Sequence, residues 1–276
     1  MNDLTKGLYI VSTPIGNLED ITIRAINVLK NSDLILCEDT RQTLKLLNTY
    51  KIKNKLISYH KFNEKKSISN IIKYLNEGKI LSLVSDAGTP VISDPGKILI
   101  NECIKNGNNI FAVPGPSSVI AAASLSGFSS EFVFQGFLPK KESGINESLK
   151  NLRNINYTLI FFAPANKVNV YLKYFKKFFS DRKIFIAREM TKKHETHYRD
   201  NVDKIQLFKN EIKGELTIVI SKKNNKTEDL IDYKYLEKQI KEYLKRYKVK
   251  DVVELMSSKE KISKKIIYKL CLKNKR

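Results

Sequence analysis

The stretch KILSLVSDAGTPVISDPG, residues 79–96, decides how the first half of the chain is interpreted. It opens with a short apolar run, typical of a buried strand, and continues with glycine, proline and aspartate, which are typical of turns. The helix-like stretch GKILINECIKN follows it. A strand, a turn and a helix in this order predict one repeating unit of an α/β fold.

The same alternation continues on both sides of this stretch. The predicted strands cover residues 7–14, 33–39, 55–60, 79–85 and 108–114, and then 131–137, 157–163, 182–189 and 215–221. Helix-like stretches, including the segment around NVDKIQLFKNEI, separate the strands. The pattern predicts a mostly parallel sheet with helices on both faces, then a second α/β domain, then a helical end. We expect domains at 1–116, 117–225 and 226–276, with a cleft between the first two.

Four turns follow predicted strands of the first half, namely STPIGN, EDTR, SDAGTP and VPGPSS. In an open α/β sheet, ligands bind beyond the carboxyl ends of the strands, where these turns would gather. The alternative is that Gly88 and Pro90 only shape a tight turn. Helix caps are predicted at Asp20, at Asp94 with Pro95, and at Ser117.

Composition narrows the class of protein. The sequence contains no run of 18 or more apolar residues that could span a membrane, and its N-terminus lacks the pattern of a signal peptide. We therefore expect a soluble, cytoplasmic protein. Cys37, Cys103 and Cys271 are too far apart in sequence to suggest a disulfide framework or a metal knuckle, so we expect buried thiols.

Positive charge is concentrated toward the C-terminus. The whole chain has a net charge of +21, and residues 221–276 carry 18 Lys and Arg against 8 Asp and Glu. A helical segment of this charge is typical of a surface that binds the phosphates of nucleic acid. The alternative is a general enrichment in lysine, since Lys, Asn and Ile are abundant throughout the chain.

Several familiar chemistries are not supported. The first strand is not followed by G-x-G-x-x-G, and no P-loop spacing occurs. The PGPSS motif lacks the last glycine of G-x-S-x-G, so Ser117 and Ser118 fit helix caps better than nucleophiles. In HETH, at 194–197, the histidines lack metalloprotease spacing, and we expect no metal site.

One set of motifs, spread over nearly the whole chain, carries a specific resemblance. The strings are LYIVSTPIGNLEDITIRAINVLK, DLILCEDTRQTLKLL, ISYHKFNE, LVSDAGTPVISDPG, VPGPSS, FQGFLPKK, the ARE-TK-HE string and GELTIVI. In this combination the sequence resembles the ribosomal RNA small subunit methyltransferase I family. The resemblance implies two αβα domains of the tetrapyrrole methylase-like (class III methyltransferase) fold and a small C-terminal helical module. It also implies S-adenosylmethionine as the cofactor and 2′-O-methylation of a cytidine in the decoding centre of 16S rRNA.

Within that resemblance, the glycine- and proline-containing turns are the expected cofactor site, because backbone donors and acceptors suit the amino-acid and adenosine parts of the cofactor. The candidates are Pro14, Gly16, Asn17, Asp86, Ala87, Gly88, Thr89, Pro116, Ser117 and Ser118.

A ribose hydroxyl is a weak nucleophile, so a nearby base would help the transfer. Glu38 and Asp39, with Arg41 close by, are the first catalytic candidates, while a structural pairing of Asp39 with Arg41 or a helix cap is the alternative. His60 and Glu195 are further candidates for the base. His60 and His194 fit structural or RNA-contacting roles better.

One loop departs from the family pattern. Where relatives read like FYESPHR, residues 161–167 read FFAPANK, so Ala163, Asn166 and Lys167 stand at the glutamate, histidine and arginine positions. Lysine keeps the charge and loses the bidentate guanidinium, and no role is carried over to this loop.

The resemblance also gives the basic C-terminal segment a partner, 16S rRNA in the small ribosomal subunit, and members of the family are often homodimers. The phosphate-contacting candidates are Lys248, Lys250, Lys264, Lys265, Lys269 and Lys273. Three alternatives stay open: a tetrapyrrole methylase, a methylase acting on a protein side chain, and a non-catalytic rRNA-binding assembly factor. The helices of this segment would, on a further alternative, only cover the second domain.

Overall fold

The computed structural model of the protein describes residues 4–223, 233–260 and 262–274. The chain divides into two compact units, Met1–Lys222 and Lys223–Arg276. The first unit holds two sheets and the second is helical. The predicted boundary at residue 225 lies outside the described residues, and the one at 116, which falls just before a helix, stays a prediction.

Five parallel strands form the first sheet, in the order β3-β2-β4-β1-β5. The strands are β1 Gly7–Val11, β2 Leu34–Cys37, β3 Leu56–Ser58, β4 Ile80–Val84 and β5 Ile110–Val113. The helices between them are α1 Ile23–Asn31, α2 Thr40–Thr49, α3 Glu64–Asn76 and α4 Lys97–Lys105.

Both faces of this sheet are buried. Alternate residues of each strand point to opposite faces, so each strand contributes side chains to two cores. Ile35 packs with α1 and α2 on one face. Leu36 and Leu81 pack with α3 and α4 on the other. The predicted parallel sheet with helices on both faces is confirmed. The three cysteines are buried free thiols, as expected.

The second sheet is mixed, with strand order β6-β7-β10-β8-β9. Only the β6–β7 pair is parallel, and the other three pairs are antiparallel. The strands are β6 Phe132–Phe137, β7 Thr158–Pro164, β8 Lys183–Arg188, β9 Thr196–Asn201 and β10 Glu215–Ile220. The helices are α5 Ser118–Ser126, α6 Glu142–Leu152 and α7 Val168–Phe179. Ile160 and Phe185 face α5, whereas Phe161 and Ile184 face α6 and α7.

The sequence did not predict β9, and it suggested a helix around 201–212 that does not form. The strand THYRDN has few apolar residues because it is an edge strand with alternating exposed positions. After it the chain turns at 201–204 and continues without regular structure, while Val202 and Ile205 are buried in the core.

Helix α5 begins as predicted, because the Ser117 hydroxyl accepts a hydrogen bond from the Ile120 N–H at 3.5 Å. The other two predicted caps are wrong. Thr22 caps α1 in place of Asp20, and Gly96, without a capping side chain, precedes α4. A two-residue shift of the helix start explains both differences.

The second unit consists, in its described part, of α8 Tyr233–Leu244, α9 Val249–Glu260 and α10 Lys264–Asn274. The three helices pack on one another around a small core that includes Leu236, Ile240, Val252, Met256 and Ile267. This unit therefore has a hydrophobic core of its own, as expected for a small helical module.

Candidate active site

A cavity of about 590 Å³ lies between the two sheets of the first unit, within the usual size range of small-molecule sites. We call the lining residues that follow strands β1 to β5 the first wall: Ile15, Glu38, Asp86–Thr89, Ile92, Ser93, Asp94 and Ser117–Val119. We call those contributed by β6 to β10 and their loops the second wall: Phe137, Phe162–Ala165, Glu189, Met190, Lys192 and Gly214–Thr217.

Backbone pairing fixes the first wall. Thr13 N–H donates to the Gly88 carbonyl at 2.9 Å, and Gly88 N–H donates to the Thr13 carbonyl at 3.0 Å. Gly88 has φ of +78°, a conformation that favours glycine. The Thr89 hydroxyl lies 3.0 Å from the Ser12 hydroxyl and 3.2 Å from the Pro116 carbonyl, to which it donates. The loops that follow β1, β4 and β5 are thus joined around the SDAGTP turn.

Three carboxyl groups of the first wall are harder to ionise than usual. Burial, helped by the negative charge of Glu38, raises the pKa of Asp94 to about 6. Burial and the charge of Asp86 raise the pKa of Glu38, while His60 opposes the shift. Burial also raises the pKa of Asp86, although its Oδ1 accepts a hydrogen bond from the Asp39 N–H at 3.1 Å. This wall is electronegative and suits a ligand with positive charge.

Asp39 and Arg41 do not line the cavity. Asp39 caps α2 by accepting from the Arg41 N–H at 2.8 Å, and its other oxygen accepts from Arg41 Nη2 at 2.7 Å. Arg41 holds the pKa of Asp39 at about 2. The side chain of Arg41 is 87% exposed. These contacts are a helix cap and an ion pair, which is the alternative to a catalytic role for Asp39 and Arg41.

The second wall is largely apolar and aromatic. The Phe162 ring packs edge-on against Phe134 at 4.9 Å and against Phe137 at 5.4 Å between ring centroids. Of the FFAPANK stretch, whose first four residues end strand β7, Phe162, Ala163, Pro164 and Ala165 line the cavity. Among these residues, Ala163 stands at the glutamate position of the family pattern, whereas Asn166 and Lys167 do not line the cavity.

Charges on the second wall are paired. Lys192 Nζ lies 3.0 Å from Glu189 Oε1 and 3.2 Å from Glu215 Oε2. The Glu215 N–H also donates to Glu189 Oε1 at 2.9 Å. This hydrogen bond and the ammonium of Lys192 lower the pKa of Glu189 despite its partial burial.

A loop with unusual backbone joins the two walls. Glu189 and Thr191 have φ of +52° and +65°, which is rare for residues other than glycine. The Thr191 N–H donates to Glu195 Oε2 at 2.7 Å, and the Thr191 hydroxyl accepts from the Asn17 N–H at 2.9 Å. A methyl group on Gly16 would lie 2.6 Å from the Thr191 hydroxyl oxygen. Gly16 and Asn17 therefore contribute to the contact between the walls.

The predicted site residues are distributed as follows. Those on the cavity surface are Glu38, Asp86, Ala87, Gly88, Thr89, Ser117 and Ser118; those outside it are Pro14, Gly16, Asn17, Asp39, Arg41 and Pro116. The predicted phosphate-contacting lysines of the second unit are all exposed. Lys273 lies 2.9 Å from Glu237 and Lys264 lies 3.6 Å from Glu254.

Sequence reasoning missed Asp94, Ile92 and most of the second wall. Ligands bind at the carboxyl ends of strands. This rule could have found Phe137 and the residues after β8, since Phe137 ends one predicted strand and the others come directly after another. Glu195, a candidate base, instead lies 2.7 Å from His197 Nε2 and supports the loop through Thr191. Within the described ranges, no group of three or more His, Cys, Asp and Glu is suited to a metal ion. No described helix is long and apolar enough to cross a membrane.

Comparison with solved structures identifies the fold. The structure of a cobalt precorrin-4 methyltransferase superposes with a TM-score of 0.58 at 20% identity, over 78% of this chain and 94% of that chain. A diphthine synthase superposes with a TM-score of 0.60 at 14% identity, over 78% and 89%. The expected class III methyltransferase fold is confirmed.

Sequence comparison identifies the family. The profile of the tetrapyrrole (corrin/porphyrin) methylases matches residues 7–206. A ribosomal RNA small subunit methyltransferase I from Thermotoga maritima is 48% identical over 78% of this chain and 98% of that protein. The protein of the same name from Rickettsia prowazekii is 43% identical over 99% and 98%, and the one from Bacillus subtilis is 37% identical over 93% and 88%. The chain belongs to the ribosomal RNA small subunit methyltransferase I family, within the tetrapyrrole methylases.

Proposed function

We propose that this protein transfers a methyl group from S-adenosylmethionine to the 2′ oxygen of a cytidine ribose in the 16S rRNA decoding centre, position 1402 in the usual numbering. The observation that carries the proposal is the cavity with an electronegative first wall and an apolar second wall, in a chain of this family. Such a site suits a cofactor that combines a positive charge with apolar surface.

Methyltransferases of this family and fold use S-adenosylmethionine as the methyl donor. When bound, the cofactor supplies a methyl group activated by a sulfonium centre. The residues that would hold it are the backbone of Asp86–Thr89 and the start of α5 at Ser117 and Ser118, which supply polar groups at the cavity surface. Gly88 fits this role because its positive φ lets the loop turn back toward β1. Glu38, Asp86 and Asp94 would offset the positive charge.

The walls would act mainly by positioning. Holding a ribose hydroxyl in line with the methyl group is worth about 7–11 kcal/mol in favourable cases. The hydroxyl proton needs an acceptor, and Glu38 and Asp94 are carboxyl groups of the cavity surface that are poised to take it. Asp39, paired with Arg41, would instead fix the start of α2.

The second unit would contribute affinity for RNA. Lys248, Lys250, Lys265 and Lys269 are exposed and suited to phosphate contacts, with Lys264 and Lys273 beside them. The match to the Thermotoga maritima relative covers nearly all of that protein but 78% of this chain, so about a fifth of this chain has no counterpart there. The family profile ends at residue 206, before the second unit begins, so the proposal assigns the chemistry to the first unit and RNA affinity to the second.

Three further points belong to this proposal. The protein acts in the cytoplasm, on the small ribosomal subunit, and as a homodimer. Light scattering of the purified protein tests the homodimer, and an invariant monomer mass over a 100-fold range of concentration would exclude it.

The decisive experiment incubates the protein with labelled S-adenosylmethionine and small subunits that lack the modification, and then maps the label by nuclease digestion and mass spectrometry. We expect label on one decoding-centre cytidine ribose and its loss in Asp86→Ala. Asp203→Ala, an exposed aspartate in the turn after β9, is the matched control and should label normally. Cofactor binding without rRNA labelling would favour a small-molecule or protein methylase. RNA binding without cofactor binding would favour an assembly factor.

A further inference from the structure

We propose that Phe62 is a stacking platform for an unpaired RNA base next to the target nucleotide, an inference that rests on the proposed rRNA substrate. Its side chain is 91% exposed, more than any other large apolar side chain in the described part of the chain, where Ile23 follows at 79%. A single exposed apolar side chain is common on protein surfaces, so the proposal depends on where this ring lies and on the charges around it.

The local fold does not require an aromatic ring at this position. The turn before α3 is made by Asn63, whose Oδ1 accepts from the His60 N–H at 2.8 Å and whose Nδ2 donates to the Ser58 carbonyl at 2.9 Å. Phe62 takes part through its backbone, donating to His60 Nδ1 at 3.2 Å. Its ring reaches the His60 ring only edge-on, with centroids 6.0 Å apart. The side chain is therefore free to serve a ligand.

The turn follows β3, the strand that neighbours β2 in the sheet. Strand β3 is paired with β2 in parallel, and the Tyr59 N–H donates to the Cys37 carbonyl at 2.8 Å. Cys37 is the residue before Glu38, which lines the first wall. His60 is close enough to Glu38 to influence its ionisation. A group held at Phe62 would therefore lie near the part of the first wall that carries Glu38.

The charges around Phe62 favour RNA over protein. Lys61, Lys65 and Lys66 are all exposed and flank the ring in sequence. An aromatic ring among lysines fits a nucleotide, because the base stacks on the ring while the ammonium groups meet the phosphates. Protein interfaces are depleted in lysine, since its strongly hydrated charge is costly to bury. A second protein copy is therefore the poorer fit.

Such a platform answers a need of the reaction. A nucleotide that enters a cavity must leave its stack, which costs free energy. Stacking the neighbouring base on Phe62 would offset part of this cost and keep the strand open at the cavity. Base stacking tolerates any sequence, so the platform would help position the strand without selecting it.

The absence of tryptophan from the sequence makes a direct test possible. In Phe62→Trp the new indole is the only tryptophan, and a base stacked on it should quench its emission. The probe is a short unpaired RNA with the sequence around the decoding-centre cytidine. Tyr157→Trp is the matched control, because Tyr157 is also exposed and precedes β7, whose opposite end lines the cavity. We expect quenching at position 62 and none at 157.

Affinity gives a second readout. Phe62→Ala and Phe62→Leu should weaken binding of the same RNA by about 5-fold to 100-fold, the range found when stacked aromatics are removed, while Phe62→Tyr should retain it. Cofactor binding by each variant, measured by calorimetry, should equal that of the unchanged protein and shows that the fold is intact.

Three results would overturn the proposal: unchanged RNA affinity in Phe62→Ala, equal quenching at positions 62 and 157, or an emission change that follows protein concentration without RNA, which indicates self-association. The labelling assay separates this proposal from the proposed function. Site-specific rRNA methylation, together with tryptophan emission at position 62 that RNA does not quench, would reject the platform alone. Quenching by RNA in a protein that never labels rRNA would keep the platform and reject the methylation.

Discussion

The charged side chains of the two cavity walls differ in how they are paired. On the first wall, Glu38, Asp86 and Asp94 have no cationic partner in a salt bridge within the described ranges, and the pKa of each carboxyl group is raised. On the second wall, Glu189 and Glu215 share Lys192, and the pKa of Glu189 is lowered.

The difference separates ligand-binding charge from structural charge. A carboxylate that is already paired with a cation inside the protein is stabilised little further by a cationic ligand. A carboxylate that is costly to ionise is stabilised more when a cationic ligand binds beside it. On this view the carboxylates of the first wall bind the ligand, and the ion pairs of the second wall stabilise the loop that joins the two walls. Charge removal should then have opposite effects on stability at the two walls.

The largest expected effect comes from Gly16→Ala, which tests the contact between the walls. The added methyl group would lie 2.6 Å from the Thr191 hydroxyl oxygen and 2.8 Å from the Met190 carbonyl oxygen, so the strained loop must move. Overpacking of this kind costs about 1–3 kcal/mol, and we expect methylation to fall at least ten-fold. Chemical denaturation and the labelling assay measure the two effects.

Gly107→Ala is the control for that change. Gly107, unlike Gly16, has a positive φ, of +68°, and nothing lies within 4 Å of the added methyl group. Its substitution should cost about 1 kcal/mol through backbone strain alone and leave methylation unchanged. Equal loss of activity in both variants would show that Gly16 acts through general stability.

Next in size is Lys192→Met, which breaks the ion cluster of the second wall. Two carboxylates at close range lose their shared cation, and we expect a loss of about 1–2 kcal/mol at pH 7.5. The loss should shrink as the pH falls below about 4.5 and through the lowered pKa of Glu189, because protonation of Glu189 also removes its ion pair with Lys192 in the unchanged protein. Lys193→Met, at the exposed neighbouring position, should leave the melting temperature unchanged; an equal loss in both variants would contradict the structural role.

Most of the first wall was predictable from sequence, and most of the second was not. The first sheet is parallel and buried on both faces, so its strands are continuous apolar runs such as ILSLV and the turns after them mark one edge. The second sheet is mixed. The amino end of β10 brings Gly214–Thr217 to the site, a position that no strand-end rule selects. The edge strand β9, which pairs with β8, carries too few apolar residues to be recognised.

Individual roles were less predictable than positions. The motif EDTR directed attention to both acids, but only tertiary structure separates Glu38, which points into the cavity, from Asp39, which caps a helix. Asp94 was interpreted as a helix cap from its neighbour Pro95. Its burial beside Glu38 depends on how the loop after β4 folds back, and sequence spacing does not contain that information.

A smaller effect, of opposite sign, is expected for Asp94→Asn. The folded protein raises the pKa of Asp94 from 3.8 to about 6, so the folded state binds the proton more tightly and stability from this group is lost as the pH rises through that window. The variant should be more stable than the unchanged protein at pH 7.5 by about 1 kcal/mol, after allowance for partial exposure, and equally stable at pH 3.5. A destabilised variant at pH 7.5 would show that the first wall, too, uses its charge structurally. Thermal denaturation at both pH values decides this.

The smallest effect is expected for Arg41→Gln, at the edge of the first wall. Arg41 is exposed and Asp39 is partly exposed, and ion pairs at the surface contribute little to stability, so the melting temperature at pH 7.5 should not change. The pKa of Asp39 should rise from about 2 toward 3.8, which an NMR titration of the carboxyl carbon can follow. Methylation should be retained, because the Asp39 N–H still donates to Asp86 whichever side chain stands at position 41. If methylation falls ten-fold while cofactor binding is unchanged, Arg41 contacts RNA, and the boundary between ligand-binding and structural charge lies outside the cavity surface.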